Sequence, residues 1–458
     1  MGVSGITADS RAVRPGFMFA ALPGAKADGR QYIAEAVARG AVAVLAPEGT
    51  NWPPGVPPRP LLLDPAPRTR LARFAVELAG RMPANLVAVT GTNGKTSTVN
   101  FLRQLLERSG RRAASLGTLG LMATGMPATE TLTTPDPVTL ANTLAMLAEA
   151  GITHAALEAS SHGLEQCRLD GLKLNAAGFT NLTRDHLDYH GSIAAYRAAK
   201  LRLFDTLLPR GAAAVAMADM EKETAAALRG IAARRGLDLR LVSVASSRAV
   251  PGGQEIIANT GGARRQVLLN LPGRFQADNA LLAAALAEAV GVPDALSLLS
   301  ALTGVRGRLE RAVALPNGAA AYVDYAHTPD AIERVLLALR PHAAGRLVIV
   351  LGAGGDRDKG KRPLMGAAAT RLSDVVIVTD DNPRTEAAAT IRAEILAAAP
   401  GAIEIGDRRA AIAAGLEMLR AGDVLVVAGK GHEQGQIVGT DIIPFDDAAV
   451  IRDLAGAV

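Results

Sequence analysis

VAVTGTNGKTS, residues 87–97, runs from an apolar stretch into two glycines, a lysine and two hydroxyl residues, and its reading decides the fold. Gly91 and Gly94 let the chain turn tightly, so that successive amide hydrogens can point inward at a multiply charged anion. Lys95 can then reach the outer phosphates, and the Thr96 hydroxyl can coordinate magnesium. The next segment, STVNFLRQLLERSG (97–110), has the pattern of a helix whose N-terminal end favours negative charge. Strand, glycine turn and helix in that order describe an ATP-binding phosphate loop made of Gly91, Thr92, Asn93, Gly94, Lys95, Thr96 and Ser97. Val89 stands where the longer form of the loop has its first glycine, so the turn is of the compact G-x-x-G-K-T kind.

Composition frames this reading. A chain of 458 residues exceeds what one core organises, so two or three domains are expected. Hydrophobic residues at 49% and charged ones at 20% fit a globular enzyme rather than a disordered chain. Aromatics are only 3%, too few for the base-stacking platforms of single-stranded nucleic-acid binders, and no long basic run marks a nucleic-acid footprint despite a net charge of +5. That balance suits anionic small substrates such as nucleotides. Cys167 is the sole cysteine, which rules out an intramolecular disulfide and predicts a buried thiol in a reducing compartment. No uninterrupted apolar span is long enough to cross a bilayer, and the first residues have no signal-like pattern, so a cytoplasmic enzyme without membrane insertion is expected.

The pattern along the chain predicts three units. The first, 1–83, holds helix-like YIAEAVARGA, strand-like AVAVLAP and a proline-laden connection, NWPPGVPPRPLLLDPAP, that can continue neither. From residue 84 to 310, short apolar runs such as LVAVTG and THAALEAS alternate with helical stretches such as LANTLAMLAEAG, the signature of a parallel sheet with crossover helices. From 311 to 458 the pattern restarts with AAYVDYAH, RLVIVLGAG, DVVIVTDDNP and DVLVVAGKG, which predicts a second doubly wound domain. The fold class is therefore α/β, a small N-terminal domain followed by an ATPase sheet and a Rossmann-like domain. Ligands of such sheets sit beyond the C-terminal strand ends, and each of these strands runs into a polar or glycine-rich loop.

Around the phosphate loop, THAALEASSHG (153–163) puts Glu158 at the end of an apolar strand, where a carboxylate can meet magnesium already held by phosphate and Thr96. TNLTRDHLDYHG (180–191) crowds Asp185, His186, Asp188 and His190 together, too polar for a core strand. Next to an ATP site, His186 is favoured as a metal or phosphate ligand.

These stretches, with AYRAAKLRLF, LPGRFQADNALLAAA, GVRGRLE, DYAHTPDAI, LGAGGDRDKGKRPLMG, TDDNPRTE and AGKGHEQ, occur in the order and approximate spacing of the Mur ligases, which the chain resembles over nearly its whole length. The family comprises ATP-dependent amide-forming enzymes of peptidoglycan precursor synthesis, and the last four motifs look like those of its third amino-acid-adding members. The resemblance implies ATP as co-substrate and two magnesium sites. It assigns Lys95 and Thr96 to ATP and magnesium, Glu158 to magnesium and His186 to the second metal site. Lys200, which read alone is an ordinary solvated helix lysine, matches a lysine carbamylated by carbon dioxide into a carboxylate-like metal ligand, N6-carboxylysine. Asn279, otherwise a helix cap, matches an adenine contact. Arg308 matches an arginine reaching the phosphates, and Asp324 a nucleotide contact of the third domain, although both also suit surface ion pairs.

For the UDP-N-acetylmuramoyl-L-alanyl-D-glutamate substrate the resemblance points to Ser10, Lys26 and Ala27 in the first unit, and to Thr133, Thr134, Ser160, Gln166 and Arg168. For the incoming amino acid it points to Arg357, Asp381, Asn382, Pro383, Arg384, Gly429 and Glu433. Arg384 presents a planar fork able to hold a carboxylate bidentately. Meso-diaminopimelate has a carboxylate at each end and lysine only one, so DDNPRTE (380–386) points to a diaminopimelate-adding enzyme. The reaction implied passes through an acyl phosphate, with Lys95, Lys200, Arg308 and His186 as the catalytic set, in a monomer acting on small molecules.

Overall fold

The computed structural model describes residues 2–24, 27–129 and 132–456. It falls into two compact units: Met1–Ser243 with Asn259–Ala263 and Asn279–Leu298, and Val244–Ala258 with Arg264–Asp278 and Leu299–Val458.

The first unit opens with a four-stranded sheet of β1 (Gly5–Thr7), β2 (Phe17–Ala20), β3 (Ala43–Pro47) and β4 (Leu61–Asp64), all parallel and in chain order. The YIAEAVARGA helix is short, Ile33–Ala38, with Ile33, Ala36 and Val37 buried. The proline-rich connection ends by starting a helix, Pro67–Ala79, where the missing N–H of Pro67 falls in the first turn and leaves no bond unmade.

The central sheet contains β5 (Asn85–Thr90), β6 (Ala113–Gly117), β7 (Gly120–Ala123), β8 (His154–Glu158), β9 (Ala176–Phe179), β10 (Ala213–Met217) and the start of β11 (Asp238–Val250), in the order β11-β10-β9-β5-β8-β6-β7. It is parallel apart from the β6–β7 hairpin at its edge. Its inner strands are buried on both faces, which is why they read as continuous apolar runs rather than alternating ones. Helix Lys95–Arg108 covers one face with Val99, Phe101, Leu102, Leu105 and Leu106. The pairing sets Val89 beside Glu158 and Thr90 beside Phe179. Three adjacent strands therefore deliver Glu158, the phosphate loop and the 180–191 loop to one edge.

Beyond Ser243 the chain of β11 continues, followed by β12 (Gly253–Thr260) and β13 (Ala263–Leu269), a meander that the strand–helix alternation did not announce. The rest of the second unit is built on a sheet of β14 (Glu310–Ala314), β15 (Ala320–Asp324), β16 (Leu347–Leu351), β17 (Val375–Val378), β18 (Ile403–Glu404) and β19 (Val424–Ala428), in the order β14-β15-β19-β16-β17-β18. Only β14 is antiparallel. A hairpin of β20 (Gly435–Val438) and β21 (Asp441–Pro444) follows β19. Asp324, Leu351, Val378 and Ala428 close the C-terminal ends of their strands, so the loops they start gather at the sheet edge where ligands bind in such folds.

Candidate active site

The phosphate loop depends on its glycines. Gly91 has φ +143° and Gly94 φ +86°, and a Cβ at either would overlap Thr180 Oγ1 or Asn279 Oδ1 respectively. The loop after β9 laces the turn in place. The Thr92 amide donates to the Asn181 carbonyl at 2.9 Å, the Asn93 amide to Asn181 Oδ1 at 3.0 Å, and Thr180 Oγ1 to the Asn93 carbonyl at 2.6 Å. Lys95 folds across the loop, with Nζ donating to the carbonyls of Gly91 at 3.0 Å and Thr92 at 2.9 Å.

Lys200 is not the solvated helix lysine that its local sequence suggests. It is 1% exposed, and Nζ donates to the Gly91 carbonyl at 2.7 Å. Helix Ile193–Arg202 turns its Tyr196 and Lys200 face inward, and the ammonium lies 4.4 Å from the centre of the Tyr196 ring. The Tyr196 hydroxyl donates to Thr92 Oγ1 at 3.2 Å. Burial, reinforced by the Lys95 charge, holds the Lys200 amine well below its ordinary range. The helix passes directly into a π turn, Leu203–Leu207, a form often found beside functional groups.

Glu158 is 2% exposed at the end of β8 and is held by neutral donors: the Thr118 amide at 2.8 Å and the Thr118 hydroxyl at 3.2 Å. That hydroxyl is 3.1 Å from Thr133 Oγ1, and Thr134 Oγ1 donates to the Glu158 carbonyl at 2.8 Å. Arg168 donates to the Thr134 carbonyl at 2.6 Å and to Gln166 Oε1 at 2.8 Å, while Ser160 caps helix Ser161–Glu165 by accepting from Gly163 N at 3.0 Å. Thr133, Thr134, Ser160, Gln166 and Arg168 thus form one network attached to Glu158. Thr118 belongs to it as well; as an isolated threonine after a strand it carries no sequence signal.

His186 is exposed, with a left-handed backbone at φ 50° and Nε2 3.6 Å from Asp185 Oδ2. It stands in a group of rings: His162 lies 5.0 Å from His186 and 4.0 Å from Tyr189, and His190 lies 5.2 Å from Tyr196. His190 is tied down at both nitrogens, Nδ1 3.2 Å from Glu165 and Nε2 3.0 Å from Ser161 Oγ. Cys167 is half-buried rather than buried. It turns left-handed, φ 57°, just after helix Ser161–Glu165, and that turn faces its side chain partly outward.

Asn279 lies inside helix Arg274–Ala289 and not at its start, so it caps nothing; its side-chain amide packs on Gly94. In the N-terminal sheet region Ser10 donates to Glu35 Oε2 at 3.0 Å, and the Ala27 carbonyl accepts from Gly24 N at 2.9 Å. Lys26 lies outside the described residues.

In the second unit, Asp324 and Arg308 are not a surface ion pair. Asp324 is 8% exposed and its two oxygens accept the amides of Leu309 at 2.7 Å and Ala326 at 2.8 Å. Burial pushes its carboxyl up to about 6. The Arg308 guanidinium lies 4.6 Å from the centre of the Tyr325 ring, and its buried Nε has no hydrogen-bond partner among the described residues. His432, 5.1 Å from the same ring, is kept neutral by burial and by Arg308, its pKa lowered to about 4.

The loops after β16, β17 and β19 meet. Asn382 Nδ2 donates to Glu433 at 2.8 Å, and Asn382 Oδ1 accepts from the fully buried Lys430 at 2.9 Å and from Ile437 N at 2.9 Å. A Cβ on Gly429, at φ +116°, would press on Asp381, and one on Gly355 would overlap the Pro383 carbonyl. Arg384, left-handed at φ 52°, donates one guanidinium nitrogen to the Gly355 carbonyl at 2.8 Å, and Arg357 is exposed nearby on the facing loop.

The donor set suits its ligands. A hydroxyl at Thr96 and a carboxylate at Glu158 are oxygen donors of the kind a hard divalent cation takes. Among the described residues no three His, Cys, Asp or Glu side chains stand together to bind a metal unaided, so phosphate oxygens or a modified Lys200 have to complete any such site. The unpaired Arg308 Nε is likewise a donor awaiting an acceptor.

This arrangement is that of an ATP-dependent ligase, and the chain belongs to the Mur ligase family: residues 2–68 match the family model described as Mur ligase family, catalytic domain, residues 89–287 the Mur ligase middle domain, and residues 307–431 the Mur ligase, glutamate ligase domain. Among individual relatives, the UDP-N-acetylmuramoyl-L-alanyl-D-glutamate–2,6-diaminopimelate ligase of Caulobacter vibrioides is 54% identical over 98% of this chain and 94% of its own. A solved structure of a ligase of the same name superposes with a TM-score of 0.75 at 34% identity, over 99% of this chain and 95% of that one. The MurF ligase of Thermotoga maritima in complex with ADP shares the fold, with a TM-score of 0.63 at 20% identity over 99% and 96% of the two chains. No helix among the described residues is long and apolar enough to cross a membrane.

Proposed function

We propose that this chain adds meso-diaminopimelate to the D-glutamate γ-carboxylate of UDP-N-acetylmuramoyl-L-alanyl-D-glutamate at the expense of ATP, in cytoplasmic peptidoglycan precursor synthesis. The observation that carries this reading is the Asn382–Glu433 hydrogen bond at the strand ends of the second unit, with Arg384 two residues on and bonded to the facing loop at Gly355, which sets an acid, an amide and a guanidinium on neighbouring loops for an amino acid with charges at both ends. The enzyme works as a monomer of three domains, 1–83, 84–310 and 311–458.

A carboxylate is a poor electrophile, so the γ-carboxylate oxygen attacks the γ-phosphorus of ATP; an acyl phosphate forms and ADP leaves. Lys95 and Arg308 counter the charge that develops on the transferring phosphoryl group. Asn279 meets the adenine and Asp324 the nucleotide. Magnesium at two sites, held by Thr96 and Glu158 and by His186 with a carbamylated Lys200, would neutralise phosphate charge. The network of Thr133, Thr134, Ser160, Gln166 and Arg168 orients the muramoyl dipeptide, with Ser10, Lys26 and Ala27 on its uridine end. The diaminopimelate amine then attacks the acyl carbon, and phosphate leaves the tetrahedral intermediate.

Arg384 holds the distal carboxylate of diaminopimelate. Lysine has none to offer, so a half-desolvated guanidinium would lose its partner, a penalty of about 1.5–3 kcal/mol. The test is phosphate release from ATP with the UDP-muramoyl dipeptide and either meso-diaminopimelate or L-lysine, with the product mass determined. Turnover with diaminopimelate and little with lysine is expected. Equal or reversed preference would remove the amino-acid assignment, and release that needs neither amine would remove the ligase reading.

A further inference from the structure

The two loops that carry Arg357 and Arg384 are locked to each other by residues that the reaction scheme leaves unused. Arg362, in the first turn of helix Lys361–Leu372, is 0% exposed. Its guanidinium donates to both oxygens of Glu386, at 2.9 and 3.0 Å, and also to Glu394 at 2.8 Å and the Gly354 carbonyl at 3.2 Å. A bidentate arginine–carboxylate pair of this kind fixes orientation as well as distance. Glu386 in turn accepts the Asp356 amide at 2.6 Å, the residue next to Arg357.

Around that pair the loops are joined bond by bond. Asp356 accepts the Thr385 hydroxyl at 2.7 Å and its amide at 3.2 Å, and Gly355 N donates to the Asn382 carbonyl at 2.9 Å. Asp356 and Arg384 both have left-handed backbones, φ 53° and 52°, a conformation that side chains other than glycine hold only where their surroundings impose it.

We propose that the Arg362–Glu386 pair is a positioning clamp that sets the separation of Arg384 and Arg357 and so selects an amino acid with two carboxylates over one with a single carboxylate. The inference deepens the reading of these loops as the diaminopimelate receptor and rests on it. Neither clamp residue is placed to touch substrate: Arg362 is enclosed, and the two Glu386 oxygens are taken up by Arg362, the Asp356 amide and Lys359, whose Nζ lies 3.1 Å from Oε2. A clamp acts on one substrate only, whereas a bridge that merely stabilised the domain would change the amount of active enzyme and leave every KM alone.

The experiment compares the full-length wild type with Glu386→Gln and Arg384→Ala singly and together, reading kcat and the KM for diaminopimelate, lysine, ATP and the UDP-muramoyl dipeptide. For Glu386→Gln the KM for diaminopimelate is expected to rise about tenfold, with the KM values for ATP and the dipeptide unchanged and the preference over lysine reduced. Because Glu386 acts through the loops of both Arg384 and Arg357, Glu386→Gln added to Arg384→Ala should raise the KM by less than it does in the wild type. Should Glu386→Gln fail to fold, Glu386→Asp, which keeps the charge but withdraws it by one methylene, reads the same split. An unchanged diaminopimelate KM, an equal loss toward all substrates, or full additivity with Arg384→Ala overturns the clamp. A wild type that does not use diaminopimelate overturns the underlying site reading instead, and the two failures are distinct.

Discussion

Lys95 and Lys200 place their side-chain nitrogens on one acceptor, the Gly91 carbonyl oxygen, at 3.0 and 2.7 Å. Two ammonium ions so close would repel, and Lys200 is the buried one, so its proton is held less tightly than an ordinary lysine's. A neutral amine is the form that adds carbon dioxide. With ¹³C-labelled bicarbonate the wild type should show a protein carbamate signal that Lys200→Met lacks, and Lys200→Met should lose at least about a hundredfold in kcat. A wild type without the signal would remove carbamylation from the scheme.

The same shift has a sign in stability. The unfolded chain keeps the Lys200 proton up to the ordinary lysine range, while the folded chain has released it at a lower pH. Between those two values the unfolded state binds more protons, so stability rises with pH across that window. Lys200→Met should flatten that rise in a plot of Tm against pH; an identical slope in the variant would contradict the burial argument.

Asp324 gives the opposite slope. Its carboxyl is raised from 3.8 to about 6, so between those values the folded state holds the extra proton and stability falls as pH rises. The difference corresponds to roughly 3 kcal/mol at most. Asp324→Asn should abolish the slope between about pH 4 and 6, and it should lower activity by leaving one of the Leu309 and Ala326 amides with a poorer acceptor. Urea denaturation at several pH values tests this, and a slope that persists in the variant would assign it to another group.

Gly94→Ala forces a side chain into φ +86° and into the Asn279 amide. Backbone strain alone amounts to about 1–2 kcal/mol. A lower Tm and a weakened KM for ATP are expected together, because the amide of Asn279 must move to admit the methyl group. Wild-type ATP binding in the variant would show that the turn is not gripped in solution as it is here.

Tyr325 offers Arg308 a ring face rather than a hydrogen bond. Tyr325→Phe should therefore retain kcat, whereas Tyr325→Leu should lower it about threefold to tenfold through a misplaced guanidinium. Equal losses in the two variants would assign the effect to the hydroxyl.

Much of this was legible from local pattern. The glycine turn at 91–94, the strand-end position of Glu158 and the apolar runs of the second sheet follow from rules that act within a few residues, and the structure places them as read. The β12–β13 meander was not legible: Ala263–Leu269 is exposed at five of its seven positions, carries no alternation, and has apolar residues beyond Ala263 only in its last three positions. Lys200 was opaque for a different reason. YRAAKLR is an unremarkable helix, and only packing of that helix against the phosphate loop turns its lysine inward.

The sequence by itself determined the strand–helix alternation of the two α/β sheets, the phosphate loop and the chemical kinds of residue at the strand ends, because backbone geometry and apolar periodicity are local. Tertiary structure alone decided which of those residues share a neighbourhood: that Lys200 meets Lys95, that Thr118 holds Glu158, and that Arg362 braces the Arg384 loop through Glu386. Burial and charge proximity are properties of contacts between distant segments, and those contacts exist only once the sheets have formed.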